Sequence, residues 1–346
     1  MSNKLVFITG GSGHVGFRTL VTALEAGYDV RAAVRSEFKK DLILSAPSIK
    51  ALNPKDRLSF VIIPDLSAPG AYDAVLQGAT YIIHIASPIV LKGDYDPSEY
   101  QSALIGPAVE GTTSILKAAA ETDGIKRVVI TSSIVAQIDP KYFFEVDRPE
   151  NEVLDHTSRT SLSAGPYPTD FHAYNASKIA ALAATETFVK THDLSFDVTN
   201  IHPSFVTGKN ELVTDVSDFT LGTNVTIMGS ILGNKSDSPL VGASVHVNDV
   251  AYMHVKALSP EIPAGSYVGN SEGEKGTVWQ DATRFAAKHF PQAVQAKVVP
   301  NDGTQPTRRL RIDVTREERV MGFVFMSFEE QVKSVVEHYL ELKGGS

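Results

Sequence analysis

Hydrophobic and polar positions in the first part of the chain alternate between two periods. The short apolar runs Leu5–Ile8, Val30–Val34, Leu58–Ile63, Tyr81–Ile85 and Arg127–Thr131 read as buried strands, and Val198–Ile201 is a further candidate. Helical spacing fills the gaps at Gly16–Ala26, Tyr72–Leu76 and Ala108–Glu121, with Gly27 ending the first of these. Strands alternating with helices predict right-handed βαβ units and an α/β, doubly wound parallel sheet. After about Pro203 the rhythm loosens, and residues 207–245 are rich in Thr, Ser, Asn and Gly. A helix near Asn248–Ala257, a strand at Tyr267–Val268, a helix near Trp279–His289 and a last helix at Phe328–Leu342 follow. The expected organisation is a first domain over 1–203, returning near 241–258, and a smaller irregular α+β lobe over 204–346.

Composition narrows the chemistry. The 346 residues are enough for a large core without staples. A net charge of −8 argues against a phosphate-backbone partner. The absence of cysteine excludes disulfides, thiolate catalysis, iron–sulfur clusters and Cys-ligated zinc. No run reaches the ~18 apolar residues of a membrane span, so no membrane partner is expected. The first apolar run is broken at once by glycines, unlike a secretory leader, and a soluble cytoplasmic protein is the expectation. The histidines show no His-Glu-x-x-His pattern, so no metal is expected.

Thr9-Gly10-Gly11-Ser12-Gly13-His14-Val15-Gly16 directly follows the first strand and opens the first helix. Gly10 allows the tight turn, Gly13 removes a side chain where backbone approaches a pyrophosphate, and Gly16 lets the helix pack closely. The helix start at His14 and Val15 offers N–H groups and a partial positive charge to phosphates. A dinucleotide is the ligand this context implies. The second strand ends at Arg35 where NAD enzymes usually place an acid, and Lys39 and Lys40 follow. A guanidinium there suits the 2′-phosphate of NADP(H), with Glu37 as a nearby complication. Asp65-Leu66 after the third strand and Ala86-Ser87 after the fourth lie at carboxyl ends of parallel strands, where ligands collect.

Tyr174-Asn175-Ala176-Ser177-Lys178 holds a Tyr-x-x-x-Lys pattern that puts phenol and ammonium on one helix face. The same pattern occurs at Tyr252/Lys256 and Tyr339/Lys343, so context must choose. Only the first precedes a long Ala-rich helix, Ala176–Val189, that leads into another sheet strand. Thr131-Ser132-Ser133 closes the fifth strand and brings a hydroxyl to the same edge.

Taken together, these residues resemble the extended short-chain dehydrogenase/reductase superfamily. The glycine loop, Thr131-Ser132-Ser133 and Tyr174-x-x-x-Lys178 match its motifs in order. Pro203-Ser204-Phe205-Val206-x-Gly208, His246-Val247-x-Asp249-Val250-Ala251 and Asp313-Val314-Thr315-Arg316 before Met321-Gly322-Phe323 match later ones. Arg35 and His84-Ile85-Ala86-Ser87-Pro88 look like the dihydroflavonol-reductase-like branch, and fungal NADPH-dependent carbonyl and aldehyde reductases are most similar. The resemblance implies that Tyr174 donates a proton to a carbonyl oxygen, that Lys178 lowers the phenol pKa and holds the nicotinamide ribose, and that Ser133 orients the substrate oxygen. It also implies that Thr9, Gly10, Gly13, His14, Val15, Gly16, Arg35, Lys39, Asp65, Leu66, Ala86, Ser87, Thr131, Pro203 and Val206 line the cofactor.

Ser133 is followed by Ile134-Val135-Ala136, without the acid pair a sugar dehydratase needs. Arg308, Arg309 and Arg311 are either diphosphate ligands of an epimerase-type enzyme or a solvated cluster. Ile89, Ile134, Phe171 and Phe205 are candidate walls of an apolar pocket suited to ketones, aldehydes or keto esters, and equally candidates for core. A non-catalytic NADP sensor is a third reading. The expected partner is a small carbonyl substrate, and the protein a monomer or homodimer.

Overall fold

The computed structural model describes residues 4–68, 70–88, 95–219 and 222–344. The apolar runs form strands β1 (Leu5–Thr9), β2 (Asp29–Val34), β3 (Leu58–Ile62), β4 (Tyr81–His84), β5 (Arg127–Thr131) and β6 (Asp197–Pro203). Val6–Thr9 of β1 and all of β4 are buried, as strands covered by helices on both faces must be. The sheet runs β3-β2-β1-β4-β5-β6, with the strand Gly265–Gly269 beyond β6. The paired strands β1 to β6 are parallel. This is a Rossmann-type α/β fold, and its strand order reverses between β1 and β4, the place where such sheets hold ligands. Pairing register aligns Ala33, Thr9, His84, Ile130 and Asn200 in one row across the sheet. Helix Gly106–Ala120 packs Ile115, Leu116 and Ala119 onto the sheet face of Phe7, Ile82, Val128 and Ile130.

Three elements depart from the sequence expectation. Tyr72–Leu76 is a chain of tight turns and not a helix, with bonds such as Val75 N to Tyr72 O at 3.2 Å. Gly70 at φ +75° and Gly78 at φ +78° bracket a stretch too short to nucleate a helix. Tyr72 and Leu76 are buried all the same, so the apolar spacing reports core contacts that a turn also makes. Helices at Glu37–Ser45 and Pro47–Leu52 were not anticipated. Ser36 caps the first of them and Pro47 starts the second.

The chain divides into two compact units. The first comprises Met1–Pro140, Ser158–His202 and Ala251–Tyr267, and the second Lys141–Thr157, Pro203–Val250 and Val268–Ser346. The returning segment is therefore Ala251–Tyr267 rather than 241–258. Arg127 accounts for this: buried at the start of β5, its Nη1 donates to the carbonyls of Ala257, Ser259 and Ile262 at 2.8, 2.7 and 2.7 Å. Its Nη2 reaches Asp197 at 2.7 Å. Lys141–Thr157 falls to the second unit because Leu154 exchanges backbone bonds with Arg311 and Asp313 at 3.0 and 2.7 Å. In that unit Trp279 is fully buried and meets Phe205 and Phe328 edge-on. Helix Phe328–Leu342 is closed by a capping box of Ser327 and Glu330.

Candidate active site

Thr9 ends β1 at the strand-order reversal, and its side chain ties two loops together. Its Oγ1 meets His84 Nδ1 at 2.9 Å and accepts the N–H groups of Ile85 and Ala86, both at 3.2 Å. Gly10 follows at φ +76°, and a Cβ on it would stand 2.7 Å from Ala86 N. A Cβ on Gly16 would stand 1.9 Å from Gly10 O. The two glycines therefore let the β1 loop, the β4 loop and helix His14–Glu25 close on one another. Gly13 N donates to Gly10 O at 3.0 Å, and Gly13 caps the helix through backbone alone, with no acid in the first turn. A helix start free of competing carboxylates, behind a loop that only glycine can form, fits a dinucleotide pyrophosphate.

Arg35 is exposed just past β2. Glu37, the carboxylate expected to complicate this corner, is engaged by Lys40 at 2.7 Å. Lys39 Nζ lies 5.8 Å from the Phe38 ring centre. Asp65 accepts from Ser67 N and Oγ at 2.9 and 2.6 Å. Those bonds, with a smaller contribution from the Arg35 charge, hold its carboxyl below the usual range. Leu66 packs on the core of the first unit.

At the other side of the reversal, Lys178 Nζ donates to Ser87 Oγ at 2.9 Å. Burial pushes the ammonium down to about 8. Lys178 Nζ lies 5.7 Å from the Tyr174 ring centre, one turn earlier on helix Asp170–Thr191. Burial pushes the Tyr174 phenol up to about 12, and its hydrogen bond with Ser133 acts in the opposite direction. In the protein alone desolvation dominates, and Ser133 is the group that acts against it. Phe171 stands beside Tyr174, ring centres 6.0 Å apart. Tyr100 Oη donates to Asp170 Oδ1 at 2.6 Å and ties down the start of this helix.

Thr131 closes β5, and its Oγ1 meets His254 Nε2 at 2.7 Å. Ser132 is buried. Ser133 is half-buried and extended, at φ −164° and ψ 156°, and its Oγ accepts Val135 N at 3.3 Å. Ile134 is only 2% exposed, which favours its reading as core. Ile89 lies outside the described residues. Pro203, Phe205 and Val206 belong to the second unit, where Phe205 packs on Trp279 and Val206 on β-partner Val245.

Four residues linked to Ser133 are not among those the sequence singles out. Asn175 Nδ2 donates to Val135 O at 2.7 Å and Ile138 O at 3.4 Å. His202 Nδ1 meets Ser133 O at 3.4 Å, and its Nε2 meets Ser266 Oγ at 3.1 Å. Arg159 Nη2 donates to that same Ser266 Oγ at 3.0 Å. Burial, then the Arg159 charge, pushes His202 down to about 3 and keeps it neutral. Asn175 did carry a signal: asparagine is a poor interior helix residue, and it sits five positions inside a helix of 22.

Residues 6–267 match the model of the NAD dependent epimerase/dehydratase family. The chain belongs to that family. Among its relatives is the ketoreductase CTB6 of Cercospora beticola, 37% identical over 348 residues, which cover 99% of this chain and 96% of that one. The NAD-dependent epimerase/dehydratase ALT6 of Alternaria alternata is 37% identical over 347 residues, 96% of each chain. Gre2 from Candida albicans, solved in complex with NADPH, has a TM-score of 0.82 at 27% identity and covers 98% of this chain and 99% of its own. The resemblance to extended short-chain dehydrogenases/reductases is thus a family membership that spans nearly the whole chain.

Proposed function

We propose that this protein reduces a ketone or aldehyde to an alcohol with NADPH, with Tyr174 as the proton donor. The observation that carries the proposal is the meeting of Ser133, Tyr174 and Lys178 in one unit, on the same sheet edge as a glycine loop built for a pyrophosphate. The ketoreductase relatives and the NADPH complex of Gre2 support the reaction class and the cofactor. The first loop and helix would hold the pyrophosphate, Arg35 and Lys39 the 2′-phosphate, and Lys178 the nicotinamide ribose. Bound NADPH would supply the hydride. Ser133 Oγ–H would hold the charge that develops on the carbonyl oxygen, and the Tyr174 phenol would give its proton to that oxygen. Phe171 beside the phenol favours apolar or aryl ketones and keto esters. The sugar-nucleotide reading is weakened by its own arginines. Within the second unit Arg308 pairs with Asp147 at 3.1 Å, Arg309 with Glu150 at 3.8 Å and Arg311 with Glu274.

The direct test follows nicotinamide absorbance with NADPH and then NADH against ketones, aldehydes, keto esters and sugar nucleotides. Turnover of carbonyls with NADPH is expected. Turnover of a sugar nucleotide alone would overturn the proposal.

Two further outcomes follow from the geometry. Arg35→Ser is expected to raise the KM for NADPH about 10- to 100-fold, the worth of a charge-assisted bond, and to leave the KM for NADH nearly unchanged. An equal rise for both would remove Arg35 from the phosphate site. The pH profile has a predicted sign as well. Lys178, held down to about 8, loses its proton as pH rises through that value, while Tyr174, near 12, keeps its own. Reductive kcat/KM should therefore fall on the alkaline side with a limb near pH 8 in wild type. That limb should be missing in Lys178→Met.

A further inference from the structure

The Ser133 side chain has to meet a developing oxyanion within a few tenths of an ångström, yet Ser133 lies outside the sheet. β5 ends at Thr131, and the chain enters a single tight turn over Ile134–Ala136. That turn is closed by only two backbone bonds, Ala136 N to Ser133 O at 3.0 Å and Gln137 N to Ile134 O at 2.9 Å. So short a turn is not rigid by itself. Its remaining carbonyls also need donors, because the turn is buried.

Asn175 supplies those donors. Its side chain is 1% exposed, and its two amide hydrogens go to Val135 O and Ile138 O, one inside the turn and one just beyond it. The amide orientation is fixed by chemistry, since the reverse orientation would set its oxygen against two carbonyl oxygens. Asn175 is the residue next to Tyr174. The bond that fixes the turn therefore starts one residue from the phenol, and the Ser133-to-Tyr174 separation is spanned by a single short linkage. A second support reaches Ser133 from the opposite direction. Neutral His202 donates from Nδ1 to Ser133 O. Its Nε2 accepts from Ser266 Oγ, which accepts from Arg159, which is held by Glu186 at 2.8 Å. From Arg159 Nη2 through Ser266 Oγ and His202 Nδ1 each donor points toward Ser133, while Arg159 Nε donates the other way and anchors the chain on Glu186.

We propose that Asn175 and the Arg159–Ser266–His202 chain are positioning residues that set the Ser133 hydroxyl against the Tyr174 phenol. The inference rests on the catalytic reading of Ser133 and Tyr174 given above. Neither Asn175 nor His202 touches substrate in this proposal. Their effect runs through Ser133.

The test is a double-mutant cycle in the full chain, with NADPH and one accepted ketone. Asn175→Leu keeps the volume but removes both donors. It is expected to lower kcat about 10- to 100-fold, the range for a catalytic group misplaced by up to about an ångström. The dissociation constant for NADPH should stay within twofold. In a Ser133→Ala background the same change should cost less than twofold, because the group being positioned is gone. Ser266→Ala, a milder cut in the second support, should lower kcat with the same non-additivity, and it serves if Asn175→Leu does not fold. A loss that is equal with and without Ser133, or a full kcat in both single variants while Ser133→Ala is impaired, would overturn the positioning role alone. An unimpaired Ser133→Ala would instead overturn the catalytic reading beneath it.

Discussion

Tyr174→Phe is expected to lower the reductive kcat by about 10²- to 10⁴-fold, the range measured for loss of a positioned general acid. The change removes one oxygen and leaves the ring, its contact with Phe171 and the helix intact. NADPH should bind the variant with a dissociation constant close to wild type, read by quenching or by isothermal titration. Because burial holds this phenol up to about 12, it stays neutral across the working pH range, as the proposed proton donor must. A nucleotide sensor on the same fold would show little change in either property. Loss of catalysis with retained binding therefore separates the enzyme from the sensor in one variant. Retention of both would end the case for Tyr174.

Gly16→Ala is expected to act at the opposite pole, on binding and stability. Its Cβ would lie 1.9 Å from Gly10 O, a backbone atom that cannot swing aside. Helix His14–Glu25 must then move away from the loop, and the first-turn N–H groups move with it. Overpacking of this kind costs about 1–3 kcal/mol, which a melting curve resolves. Affinity for NADPH should fall at least tenfold, since the phosphate-facing N–H groups lose their common focus. Gly27→Ala is the contrast: at φ +88° it is strained, but no atom lies within 4 Å of its Cβ. It should lower the melting temperature while leaving NADPH affinity alone. Equal affinity losses in both variants would mean that the loop responds to general softening and not to the clash.

The sheet was legible because its strands are buried on both faces. Runs such as Leu5–Ile8 and Arg127–Thr131 have no amphipathic alternative, and the glycine loop marks the first strand–helix junction without ambiguity. Tyr72–Leu76 misled for a physical reason: apolar residues at i and i+4 also arise when turns point two side chains into one core. Domain limits were less legible because they depend on long-range bonds. Nothing local in Lys141–Thr157 reports its pairing with the strand-like stretch near Arg311, about 160 residues later. The same holds around the candidate site. Tyr174 and Lys178 are four apart on one helix, and the long Ala-rich helix that follows singles them out from the two other pairs with the same spacing. Asn175 and His202 meet the Ser133 turn through bonds between distant segments, and no local pattern connects three segments. The bond of Thr131 to His254 likewise joins residues 123 apart, and no local pattern reports it.

The order in which the chain visits its two units has a consequence for biosynthesis. The first unit is drawn from three separated segments, and the last of them ends at Tyr267. Until Ala257, Ser259 and Ile262 have left the ribosome, the Arg127 guanidinium at the root of β5 lacks its three carbonyl acceptors. The outermost sheet strand, Gly265–Gly269, is missing for the same interval, so β6 remains an open edge. Three quarters of the polypeptide must therefore emerge before the glycine loop sits on a finished sheet. Nascent chains arrested short of that point present an exposed strand and an arginine that has Asp197 but not its three carbonyl acceptors, features that expose a chain to chaperones and proteases.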